Sequence, residues 1–300
     1  MQEEELKKWR EAGRIAAEAL KYGQSLIKKG AVIREVCDAV DRKIVELGAK
    51  PAWPTQVALN HVAAHYTPDF DDNTTFDDEM VCIDVGAHID GFIGDCALTV
   101  DLSGKHENFL KAVQEALKAA LATAKAGVEV REIGKVICEK IESFGLNPIR
   151  NLGGHGISEY EIHDDPRIPN FDDGSTAKLE KGKIYAIEPF ATDGQGLVKE
   201  SERTNLFTLI EAKPVRSQFA REILRAIEDN FDGLPFARRW LIERFGIGKT
   251  QLALKELERI DCLEKHPPLV EQTKGLVAQW EKTFYINDKG EAEILTNFEP

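Results

Sequence analysis

Apolar residues recur at helical spacing through the first thirty positions. Leu6, Trp9, Ala12, Ala16, Leu20 and Ile27 are separated by Lys, Arg and Glu, which predicts an amphipathic helix. A second helix is predicted from Val32 through Val36, Val40, Ile44 and Leu47, closing at Gly48, a residue suited to the left-handed turn after a helix. Residues 49–68 are broken by prolines, and 69–78 form an acidic turn cluster. The period then changes. Two apolar, β-prone runs, 80–88 and 92–100, flank Ile89-Asp90-Gly91. Asp-Gly favours a two-residue turn, so the segment reads as a β-hairpin. Helices are predicted over 107–125 and 128–144, the second closing at Gly145. Strands are predicted over 183–190 and 206–211. The stretch 214–268 is almost wholly helical in pattern and rich in Arg, Lys and Leu, and 277–286 returns to strand. The expected organisation is one α/β (α+β) domain over 1–300, with 214–268 as a helical insert within it.

The chain also repeats itself. At a constant offset of 97, Gly30, Arg34, Glu35, Lys43, Ile44 and Gly48 match Gly127, Arg131, Glu132, Lys140, Ile141 and Gly145, with apolar positions in step. Two related halves are implied, and ligand sites commonly lie where such halves meet.

Composition narrows the function classes. The 39 basic and 52 acidic side chains leave a net charge of −13, without the clustered Lys and Arg that phosphate neutralisation calls for. No specific nucleic-acid partner is therefore expected. No apolar stretch approaches the length of a membrane span, and Met1-Gln2-Glu3-Glu4-Glu5 is acidic where a secretory leader would be basic. Five scattered cysteines, without a CxxC motif, point to a reducing cytoplasm.

The candidate chemistry lies where charge interrupts apolar strands. Asp84 and Asp95 both sit inside the hairpin. With Asp90-Gly91 as the turn, opposing residues sum to 181, so Asp84 faces Ala97. Asp95 is then on the same face, diagonal to Asp84 and roughly 5.5–8 Å away. Such a pair repels unless something positive lies between. Either a metal, or a turn cap together with an arginine partner, satisfies the hairpin alone. His155 sits among glycines in Gly153-Gly154-His155-Gly156, Glu188 ends the apolar run Ile184-Tyr185-Ala186-Ile187, and Glu281 lies within Val277-Ala278-Gln279-Trp280-Glu281. Four carboxylates and a histidine in such settings favour a dinuclear metallohydrolase, because mixed Asp, Glu and His donors suit two divalent ions such as Mn, Fe, Co or Zn.

Taken in order, these segments resemble the methionine aminopeptidases of type 2, in an archaeal-looking short form. The matching stretches include Trp53-Pro54-Thr55, Asn60-His61-Val62-Ala63-Ala64-His65, Ile83-Asp84-Val85-Gly86-Ala87-His88, Gly94-Asp95-Cys96, Gly154-His155-Gly156-Ile157, Pro235-Phe236-Ala237-Arg238-Arg239-Trp240 and Ala278-Gln279-Trp280-Glu281. The resemblance implies the pseudo-two-fold "pita bread" fold. It also implies five ligands for two metal ions, Asp84, Asp95, His155, Glu188 and Glu281, with Asp95 and Glu281 bridging. Glu188 would also move a proton, His65 would meet the substrate near the scissile bond, and His163 would stabilise the oxyanion. Trp53, Ile162, Pro235, Phe236 and His266 would form the methionine pocket, together with His65 and His163 at its mouth. Relatives carry Phe and Tyr where this chain has Trp53 and His266, and His-Thr where it reads Lys282-Thr283. The implied activity is removal of the initiator methionine from nascent chains and peptides whose second residue is small, by a cytoplasmic monomer. A prolidase-like Xaa-Pro peptidase and a non-catalytic scaffold of the same fold are the alternatives.

Overall fold

The computed structural model describes residues 2–298. Its centre is a nine-stranded sheet in which all the paired strands run antiparallel. Across it lie Lys50–Pro51, Met80–Ile89, Phe92–Asp101, Glu281–Ile286, Ile184–Ile187, Gly153–Ser158 and Glu161–Pro169, with Gln56–Leu59 also on Met80–Ile89 and Ala292–Ile294 on Glu281–Ile286. The predicted hairpin is present in its predicted register, Asp84 opposite Ala97. Asp90 and Gly91 turn it at φ +50° and +86°, the left-handed conformation that a tight hairpin of this twist requires.

Helices α1 (Glu3–Leu26), α2 (Ile33–Glu46), α3 (Glu107–Thr123) and α4 (Val130–Ser143) cover the sheet. Their apolar faces, among them Ile15, Leu20, Ile44, Val113, Ile133 and Ile137, join Ile83, Val85, Leu98 and Phe284 in the main core. Helix α1 packs directly on the hairpin. A Cβ on Gly94 would lie 2.5 Å from the Gly13 Cα, so glycine there is what lets strand and helix backbones touch. Among the described residues, no helix is long and apolar enough to cross a membrane.

The repeat is structural. Helices α2 and α4 are both fourteen residues long and begin 97 positions apart. The short strands after them, Lys50–Pro51 and Asn147–Pro148, keep the same offset. Gly30 and Gly127 donate to Phe76 and Leu179 in matching ways, and the single bridges Val32–Thr75 and Glu129–Lys178 repeat as well. Lys50 pairs with His88, and Asn147 with Thr192. Asp84 and Glu188 each lie four residues before those partners, so the two halves offer carboxylates at equivalent places.

The 214–268 expectation was too uniform. Three helices are present, α5 (Gln218–Phe231), α6 (Arg238–Phe245) and α7 (Ile247–Arg259), and the chain then forms the strand Leu263–Lys265, paired with Leu206–Leu209. The helices enclose their own apolar cluster, including Ile223, Ile227, Phe236, Leu254 and Leu257. Arginines of α6 tie them to the rest of the protein, Arg238 through Asp69 at 3.0 Å and Arg239 through α2. Arg239 is 0% exposed and ion-pairs Asp38 at 2.8 Å and Asp41 at 2.9 Å, both on α2. It also donates to the Thr67 hydroxyl, while Asp41 accepts the Thr55 N–H at 2.9 Å and its hydroxyl at 2.6 Å.

Candidate metal centre and substrate cavity

Strand register gathers the five predicted ligands onto one face. Asp84 pairs with Ala97, and Ala97 with Glu281, so Asp84 and Glu281 flank the same row. Asp95 lies two residues from Ala97 on that face. His155 pairs with Ala186, two residues before Glu188. The 183–190 and 277–286 strands are both interrupted at the site. Phe190–Thr192 and Val277–Gln279 leave the main sheet and pair with each other instead, and the breaks fall at Glu188-Pro189 and Trp280.

The resulting centre is compact. Ligand atoms of Asp95, His155 and Glu281 all lie within 4.8 Å of one another. His155 Nε2 is 3.7 Å from both Asp95 Oδ2 and Glu188 Oε1. Its Nδ1 lies 3.1 Å from the Gly156 carbonyl, which places the ring proton on Nδ1 and leaves the Nε2 lone pair facing the carboxylates. Burial, then the neighbouring His163, push the His155 pKa down to about 3. Burial pushes Asp84 up to about 7, against the hydrogen bond from Trp53. Asp95, Glu188 and Glu281 are also held well above the usual carboxylate range, by burial first and then by the charges of their acidic neighbours.

These donors fit divalent cation binding. Among the described residues, no Lys or Arg makes an ion pair with any of the four carboxylates, and the imidazole of His155 beside them is neutral. Desolvated carboxylates in that state repel unless protonated or bridged by a cation. A pH test follows, and its sign can be worked out. A folded-state pKa raised above the unfolded value contributes stability at low pH that is lost as pH rises through the folded value. Asp84 therefore loses its contribution between about pH 4 and about pH 7. In metal-free protein, Asp84→Asn is expected to be more stable than the parent at pH 7.5 by about 1–3 kcal/mol, and the gain should shrink as pH falls and vanish by about pH 4. Denaturant unfolding at both pH values checks this. A gain that does not change with pH would contradict it.

The centre forms the floor of a cavity of about 420 Å³. Trp53, His65, Ile162, His163, Pro235 and His266 line it with the five ligands. His65 is at φ +65°, held by its N–H donating to Gln56 Oε1 at 2.7 Å. Its ring meets His266 edge-on at 5.9 Å, and His163 meets His155 at 4.5 Å. The pKa of His65 is pushed down to about 4 by burial and by His266. His163 and His266 are lowered too, chiefly by burial, so all three are neutral hydrogen-bonding groups near pH 7. His266 Nε2 lies 2.8 Å from the Thr208 hydroxyl.

One expected pocket residue is corrected. Phe236 does not line the cavity. It is fully buried in the helical cluster, stacked on Phe231 at 5.0 Å and on Phe207 at 6.1 Å. Successive side chains on a strand point opposite ways, so Pro235 faces the cavity and Phe236 the helices. Lys282 follows the same alternation away from the ligands, and its Nζ donates to the Phe298 carbonyl at 2.7 Å.

Gln279 is a site residue that the sequence reading did not single out. Its Nε2 donates to Glu188 Oε2 at 3.1 Å and Glu281 Oε2 at 3.2 Å, and Cys82 Sγ donates to its Oε1 at 3.2 Å. It thus steadies two proposed ligands at once. The available signal was its period-two spacing from Glu281 on an otherwise apolar strand.

Residues 7–231 match the family described as metallopeptidase family M24. The chain is 43% identical over 297 residues to a methionine aminopeptidase of Archaeoglobus fulgidus, covering 99% of this chain and 100% of that one. Its fold is similar to the crystal structure of a methionine aminopeptidase from Thermotoga maritima, with TM-score 0.72, 25% identity, and coverage of 99% and 98%. It also superimposes on the structure of a thermophilic Arx1 with TM-score 0.86, covering 100% of this chain and 92% of that one. The 17% identity of that pair shows the fold alone. The chain therefore has the pita-bread fold and belongs to metallopeptidase family M24, among its methionine aminopeptidases.

Proposed function

We propose that this protein removes the N-terminal methionine from nascent polypeptides and peptides, using two divalent cations held by Asp84, Asp95, His155, Glu188 and Glu281. Asp95 and Glu281 would each serve both ions. The observation that carries the reading is the set of five oxygen and nitrogen donors on one sheet face, without an Arg or Lys partner among the described residues. When bound, such a pair supplies Lewis-acid activation of the scissile carbonyl and of the attacking water. Ligand chemistry alone admits Co, Mn, Fe or Zn.

The protein's own groups then divide the work. Glu188 faces the cavity, where its carboxylate would take the proton from the water and pass it to the leaving amine. Neutral His163 would donate an N–H to the developing oxyanion, and His65 would orient the substrate beside it. Trp53, Ile162, Pro235 and His266 would receive the first side chain. Aromatic edges and apolar surface are what a flexible thioether packs against. We expect Ala, Gly or Ser at the second position. The scattered cysteines and the acidic surface support a cytoplasmic protein that acts as a monomer without nucleic acid. The prolidase-like alternative has less support, because the curated relatives at about 40% identity over nearly the whole chain are named methionine aminopeptidases.

Metal titration of stripped protein tests the centre. Calorimetry with Mn²⁺ is expected to show two equivalents bound, with Asp95→Asn weakening both and Asp84→Asn mainly one, each by tenfold or more. Affinity should fall with pH, since the donors must be deprotonated to ligate. A single equivalent under every condition would remove the dinuclear reading.

A further inference from the structure

Trp53 belongs to the cavity wall, yet its polar end points elsewhere. The side chain is 4% exposed, and its Nε1 donates to Asp84 Oδ1 at 3.2 Å. Among the described residues this is the one side-chain hydrogen bond that Asp84 receives, whereas Glu188 and Glu281 share Gln279. The ring itself has a prepared seat. A Cβ on Gly86 would lie 2.4 Å from Trp53 Cη2 and 2.5 Å from two further ring carbons. Gly86 is two residues from Asp84 on the same strand and face. The missing side chain at 86 is therefore what lets the indole lie flat beside the carboxylate and reach it.

We infer that Trp53 is a positioning residue for Asp84, its indole N–H fixing one carboxylate oxygen so that the other is presented to the cation, with Gly86 as the seat that makes this possible. The inference rests on the reading of Asp84 as a ligand. A buried indole N–H needs an acceptor, and a ligating carboxylate held by an outer donor keeps its orientation when the ion leaves. The same ring walls the cavity, so the group that meets the substrate side chain is also the group that aims a ligand.

The test is Mn²⁺ affinity of stripped protein by calorimetry, for Trp53→Phe, Gly86→Ala and the pair together. Phenylalanine keeps an aromatic ring and loses the donor. About tenfold weaker binding at one of the two sites is expected, with an unchanged circular dichroism spectrum. Gly86→Ala should weaken the same site by pushing the ring off its seat. In the Trp53→Phe background it should add little further loss, because the hydrogen bond is already gone. Trp53→Phe binding within twofold of the parent would overturn the inference, as would an equal Gly86→Ala loss in both backgrounds. If Trp53→Phe does not fold, parent-like binding by Gly86→Ala overturns it instead. Asp84→Asn separates the two levels. Weak binding there with parent-like Trp53→Phe overturns the positioning role alone, and parent-like binding by Asp84→Asn removes the ligand reading and the inference with it.

Discussion

Glu188→Gln is expected to fold, to take up metal when metal is in excess, and still to lose about 10²–10⁴ of kcat. Glutamine keeps the shape of the side chain and can still accept from the Gln279 amide, which now lies 3.1 Å from Glu188 Oε2. What it cannot do is carry a proton. Turnover of a Met-initiated tripeptide at saturating Mn²⁺ is the measurement. Recovery of parent kcat by excess metal would show that Glu188 only ligates.

The second large effect is on stability. Arg239→Met is expected to cost about 3–5 kcal/mol, because it leaves the buried Asp41 without a counter-ion and Asp38 with only Arg34, at 3.5 Å. In a chain of this size that corresponds to a fall in Tm of about 10 °C, measurable by scanning calorimetry of the metal-free protein. Arg239→Lys should recover only part of it, since one ammonium cannot reproduce the guanidinium's fork. The residues tied into this network lie beside the cavity. Thr55 is two residues from Trp53, and Thr67 two residues from His65. A loss below about 1 kcal/mol, the range of exposed ion pairs, would contradict the account.

Much of this site could be read from the chain because its ligands break a rule. Asp84, Asp95 and Glu281 interrupt apolar strands where charge is costly, and the Asp90-Gly91 turn set the hairpin register without any knowledge of the fold. The repeat was visible for a similar reason, since Gly30, Gly48, Gly127 and Gly145 all take positive φ where other residues are strained. What could not be read depends on tertiary placement. Pro189 marks the break after Glu188, but the break at Trp280 carries no strong local signal, and neither shows that two strand halves move into another sheet. Phe236 was expected in the wall from the resemblance, and the orientation of the short strand Phe236–Ala237 sends its ring into the helices. Arg239 stands in a stretch rich in Arg and Lys, with nothing local to mark it as buried. Its partners lie about 200 residues away on α2, and sequence spacing does not indicate such a contact.

The most direct test of the central claim is peptide hydrolysis by the parent protein with Mn²⁺ or Co²⁺ added. Met-Ala-Ser, Leu-Ala-Ser, Phe-Ala-Ser and an Ala-Pro peptide would be compared for release of the first residue. The account predicts rapid release of methionine from Met-Ala-Ser, at least tenfold slower turnover of the Leu and Phe peptides, and no cleavage before proline. Equal turnover of the three tripeptides would contradict the methionine pocket, and preferential cleavage of the Ala-Pro peptide would contradict the function.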